Sequence, residues 1–92
     1  MERNEISLHQ VKIWKAVTNH DGWITAKDVA EKAGVARRTA SLHCLNLVKL
    51  GIFDLAEVFP AHMYRASEMG DKRNKAYLLR LEKAANVFGL EE

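Results

Sequence analysis

Four histidines and one cysteine are the side chains of this 92-residue sequence most suited to holding a metal or attacking an electrophile, and their spacing argues against both. His9, His20, His43 and His62 include no pair one helical turn apart, and Cys44 is the lone thiol, so neither a two-histidine face nor a paired-cysteine knuckle can form. His43 and Cys44 are adjacent, which on a helix sends their side chains in different directions. No glycine-rich phosphate loop, nucleophile elbow or carboxylate pair in a pocket-like setting appears. Catalysis also needs a concave, water-excluding site, for which one small domain has little room. The sequence therefore predicts no catalytic residue, no metal and no cofactor, and a protein that is not an enzyme.

The pattern that does carry chemistry is Arg37-Arg38-Thr39-Ala40-Ser41, at the start of a helical run that Gly51 ends. A helix start presents free N–H groups and the positive end of the dipole, both favourable to phosphate. The arginine fork adds two parallel hydrogen bonds to a phosphate or to guanine O6 and N7. Between Ile24 and Phe53 two helix-compatible runs are joined by a short turn at Gly34 and Val35, the layout of a helix-turn-helix whose second helix, 36–50, enters the major groove of double-stranded DNA.

Charge distribution agrees. Net charge is +2 with a pI near 8.8, too mild to identify a polyanion partner by itself. Residues 1–35 carry five basic and five acidic residues, whereas 36–53 carry Arg37, Arg38 and Lys49 and no acid. A hydrophobic fraction of 48% beside 28% charged residues suits one folded domain. The lone cysteine and the lack of a basic start joined to an apolar run lead to an expected cytoplasmic location, and no apolar run approaches the roughly 20 residues that span a bilayer.

Supporting elements emerge from caps and periodicity. Ser7 and Gln10 form a capping box, Ile6 and Val11 a staple, and Leu8, Val11, Ile13, Trp14 and Val17 the apolar face of a first helix. Trp23 and Ile24 suffice only to pair at a sheet edge. Thr25 caps the second helix, with Asp28 in its first turn and Gly34 at its end. In the third helix Ala40, Cys44, Leu47 and Leu50 face the core; Leu42 and Leu45 fall partly outside that face, where packing beneath the next hairpin is expected ahead of contact with a thymine methyl. His43 is expected to be a hydrogen-bonded structural residue. The period then shifts toward two, and 52–66 reads as a hairpin broken at Phe59-Pro60-Ala61. Asp71 is the expected cap of a last helix, starting between Lys72 and Lys75, whose stripe of Leu78, Leu81, Ala85 and Phe88 is expected to pair with a second chain rather than fold back on the first helix.

Thr39-Ala40-Ser41, Leu47 with Leu50-Gly51, and Tyr64-Arg65-Ala66-Ser67 resemble the pattern of bacterial winged helix-turn-helix regulators of the MarR and IclR types, over about Leu8 to Ser67. The resemblance implies that Arg37, Arg38, Thr39 and Ser41 face DNA and that the hairpin is the wing. The expected fold is mainly α with a small β-hairpin: a winged helix-turn-helix over 1–68 with an additional C-terminal helix over 69–92 as the dimerisation element. The expected DNA-binding set is Thr25, Arg37, Arg38, Thr39, Ser41 and Arg65, with His62 a further phosphate candidate. The wing departs from the resembled pattern, because Val58, Phe59, Pro60 and Ala61 are apolar and flanked by Asp54 and Glu57, which suits protein contact or local packing better than phosphate. The leading expectation is a homodimeric transcriptional regulator. The alternatives are a protein-interaction module docking through Phe59, and a DNA-binding protein of plasmid or phage partition or replication control.

Overall fold

A computed structural model describes residues 6–58, 61–68 and 70–90. The expected polar lead at 1–5 and the apolar wing tip at Phe59 and Pro60 lie outside the described residues. The elements run α1 (Leu8–Thr18), β1 (Ile24–Thr25), α2 (Ala26–Ala33), α3 (Arg37–Lys49), β2 (Phe53–Val58), β3 (Ala61–Ala66) and α4 (Gly70–Phe88).

Local chemistry sets the helix ends. Ser7 Oγ accepts the Gln10 N–H at 3.1 Å, and Thr25 Oγ1 accepts that of Asp28 at 3.2 Å; such caps contribute about 1 kcal/mol each. Ile6 and Val11 both join the core, as a staple requires. One residue of the expected α1 face differs: Leu8 is exposed and Gln10 buried, because Leu8 lies on the far side of the stripe set by Val11, Trp14 and Val17. Gly34, at φ 71°, ends α2 and donates to the Ala30 carbonyl at 2.9 Å, and Val35 packs against the core at the corner before α3.

The three strands form an antiparallel sheet in the order β1-β3-β2. Thus the two-residue β1 is an edge strand beside the hairpin. Register places Leu55 opposite Tyr64 and Tyr64 opposite Ile24. This row lies on one sheet face, where Ile24, Phe53 and Tyr64 are almost fully buried against Val11, Val29, Ala40, Cys44 and Leu47 of the helices.

The C-terminal helix corrects the sequence expectation. Leu81 is 0% and Ala85 3% exposed within the single chain, and Tyr77, Leu78 and Ala84 pack against the same core. The stripe has folded back toward α1. It therefore does not offer Leu81 and Ala85 to a second subunit, and α4 completes the same core as residues 6–68. Of the four residues expected at a dimer contact only Phe88 is classed as exposed, at 41%. Asn74, with non-helical φ −155° and ψ 64°, kinks α4 and caps its longer C-terminal part, its Oδ1 accepting the Tyr77 N–H at 3.3 Å. The regular helix thus starts in the expected interval, with Asn74 as its cap; the side chain of Asp71, the expected cap, lies outside the described residues. Asn74 Nδ2 also donates to the Leu50 carbonyl at 3.1 Å, fastening α4 to the end of α3. Gly51 allows this approach twice over: its φ is +83°, and a Cβ there would stand 2.9 Å from Arg73 Cβ. Among the described residues no helix is long and apolar enough to cross a membrane.

Candidate nucleic-acid interface

Alanine at position 36, the residue before α3, has no side chain with which to cap, so no side-chain bond satisfies the N–H groups of the first turn. Arg37 and Arg38 in that turn are both exposed, and among the described residues neither makes an ion pair. Thr39 and Ser41 are half-buried. Ser41 lies beside Tyr64 where α3 meets the central strand, the two lining one cleft. Leu42 is 57% exposed, contrary to the expectation that it packs beneath the hairpin. It stands one turn after Arg38 on the outer side of α3, whereas Leu45 does pack against the core. The outward row is therefore Arg38, Leu42 and Lys49, at spacings of four and seven.

Inward of that row lies a cleft of roughly 240 Å³ between the start of α2, the start of α3 and the first part of β3. Thr25, Lys27, Arg37, Ser41, His62 and Tyr64 line it. Three of the expected DNA-binding residues, Thr25, Arg37 and Ser41, thus converge. Sequence reasoning missed Lys27; the available signal was the Thr25 cap, which fixes Lys27 in the exposed first turn of α2.

Arg65 is separated from this group. Side chains alternate across a strand, so His62 and Tyr64 share the helix-facing side of β3 while Arg65 projects from the other. There its guanidinium stacks over the Trp23 ring at 4.5 Å, and its Nε donates to Asp54 Oδ2 at 3.3 Å. Asp54 lies opposite Arg65 in the register and also meets Arg73 Nη1 at 3.5 Å. Arg65, the expected phosphate contact, is here part of a Trp23–Arg65–Asp54–Arg73 chain. These pairs are partly exposed, so each contributes no more than about 1 kcal/mol.

Behind the site, burial pushes the Cys44 thiol up to about 12, which leaves it a small apolar core group with little thiolate character. The expected hydrogen bond at His43 is absent at one nitrogen: Nδ1 is buried with no partner among the described residues. Burial first, then the nearby His9, lower the His43 pKa from 6.5. A depressed pKa favours the neutral ring in the fold, so its contribution is whole above pH ~6.5 and is lost as pH falls through the folded value. Among the described residues no group of three or more His, Cys, Asp or Glu could hold a metal.

Three helices, the helix-turn-helix at α2–α3 and a β2–β3 wing define a winged-helix fold with an added C-terminal helix. No protein-family model matches the chain, nor does any curated protein. Solved structures share the fold. The Bordetella bronchiseptica protein BpsR, whose DNA binding is regulated by 6-hydroxynicotinic acid, superposes with a TM-score of 0.65 at 10% identity, over 90% of this chain and 59% of its own. NMB1585, a MarR family regulator from Neisseria meningitidis, gives 0.61 at 20% identity over 95% and 63%. Sso10a-2, a DNA-binding protein from Sulfolobus solfataricus, gives 0.60 at 15% identity over 91% and 87%. The chain also matches 20% of human N-acetylserotonin methyltransferase, at a TM-score of 0.58, 14% identity and 74% of this chain. The chain therefore spans only part of several of these proteins.

Proposed function

We propose that this protein binds double-stranded DNA in a sequence-specific manner as a transcriptional regulator, with the start of α3 in the major groove. The observation that carries this reading is the pair Arg37 and Arg38, exposed and without ion pairs among the described residues, at the uncapped end of a helix braced by α1 and α2. BpsR and Sso10a-2, which share the fold, support it as DNA-binding proteins. Fluorescence anisotropy on a library of genomic fragments tests it: selective, salt-dependent binding is expected, and indifference to every sequence with no salt dependence sinks it. Arg38→Ala weakens binding to the selected site by about 1–3 kcal/mol and relaxes preference at one base pair.

In this reading Arg65 and Arg73 contribute little phosphate contact, because Asp54 engages both. Asp54→Asn releases both, so DNA affinity rises and the slope of log K against log salt steepens by about one to two, measured by the same titration at several salt concentrations. A homodimer, on our proposal, uses the outer side of α4, where Leu79 and Val87 are exposed. The protein-contact reading draws on the hairpin itself, which presents Glu57 and exposed Val58 while its arginine is engaged elsewhere. Absence of salt-dependent DNA binding would leave that reading standing.

A further inference from the structure

The cleft between α2, α3 and β3 has a composition that the major-groove reading of α3 does not account for. Lys27 comes from α2, Arg37 from α3 and His62 from β3, so three separate elements deliver a basic side chain to one concavity of roughly 240 Å³. Among the described residues no carboxylate lines it: Asp28, although next to Lys27, is not among the lining residues, and Glu57, opposite His62 in the register, is not either. Residues with hydrogen-bond donors line the same space. The N–H groups of Ala26 and Lys27, in the first turn of α2, have no acceptor within the helix, whereas that of Asp28 is taken by Thr25. Ser41 and Tyr64, each bearing a hydroxyl, line the same space. A fork, an ammonium, an imidazole and backbone N–H groups around one small space match a tetrahedral, multiply charged oxyanion.

We propose that this cleft is a phosphate-binding site, with Lys27 and Arg37 supplying charge and His62, Ser41 and the start of α2 supplying hydrogen bonds. The phosphate has two sources, the backbone of a bound duplex or a free phosphate group. Arg37 and Ser41 belong both to the cleft and to the start of α3, so a free phosphate and a docked duplex exclude each other. The proposal deepens the DNA reading where the phosphate belongs to the duplex and stands without it where the phosphate is free.

The test titrates the full chain with inorganic phosphate at constant ionic strength while backbone amide shifts are followed. The same chain, wild type and Lys27→Gln/His62→Gln, is then titrated with DNA. Both replaced residues are exposed, so the variant keeps its fold. Saturable shifts at Ala26, Lys27, Ser41 and His62, weakened about tenfold in the variant, with phosphate displacing DNA beyond the effect of equal ionic strength, support a free phosphate as occupant. No saturable shift, but an approximately tenfold loss of DNA affinity in the variant and a salt slope shallower by about one to two, supports a backbone phosphate. Failure to observe either result overturns the proposal. If wild-type binding still depends on Arg38 in that case, the DNA reading survives alone; if phosphate saturates the cleft while no DNA binds, the cleft survives alone.

Discussion

Leu81→Ala lowers the unfolding free energy by about 2–5 kcal/mol and leaves the oligomeric state unchanged. Leu81 is fully buried within one chain, in the stretch of α4 that folds back toward α1, so truncation leaves a cavity that the packed helices cannot close. A domain of this size has about 5–15 kcal/mol in total, so the loss is large enough to populate the unfolded chain on warming. Urea denaturation followed by circular dichroism reads the first effect and sedimentation velocity the second. Leu79→Glu supplies the contrast. Leu79 is on the outer side of the same helix and 52% exposed, so stability changes by about 0.5 kcal/mol or less while a dimer formed through that side dissociates. A Leu81→Ala chain with unchanged stability but altered association would restore α4 to the dimerisation role its periodicity suggested.

That contrast shows what the amino-acid pattern carries and where it stops. Helix starts were legible at Ser7 and Thr25 because the cap and the N–H it satisfies lie three residues apart. The turns at Gly34 and Gly51 were legible because glycine takes positive φ without penalty. An apolar stripe is different: spacing identifies a face but not what covers it, so Leu81 and Ala85 were expected against a second chain whereas they pack within their own. Leu42 failed in the opposite sense, since an apolar residue just outside the core stripe was expected beneath the hairpin and is instead exposed. Strand parity could have separated His62 from Arg65, which are three residues apart and so on opposite sheet faces. The pairing of Arg65 with Trp23 and Asp54 needed the register. The cleft was illegible altogether, because residues 27, 37 and 62 meet only once β3 lies beside the starts of both helices.

Arg37→Glu/Arg38→Glu weakens binding to the selected DNA site by about 10³-fold or more. Each arginine that contacts a base or phosphate accounts for about 1–3 kcal/mol, and each glutamate adds repulsion from the duplex where attraction had been. The variant is unusually informative because the change does not endanger the fold. Both residues are exposed in the first turn of α3, where acidic side chains complement the helix dipole by about 0.3–1 kcal/mol, so thermal unfolding should occur at the same temperature or slightly higher. Lost binding cannot then be assigned to lost structure. Lys12→Glu/Lys15→Glu controls for net charge. It removes the same four units of charge from α1, beside a groove shared with Asn19, Lys32 and Leu90 that includes no residue of α3. A modest, sequence-independent weakening is expected there. Equal losses from the two double variants would mean that overall charge governs association, and α3 would lose its role as the element that meets the bases.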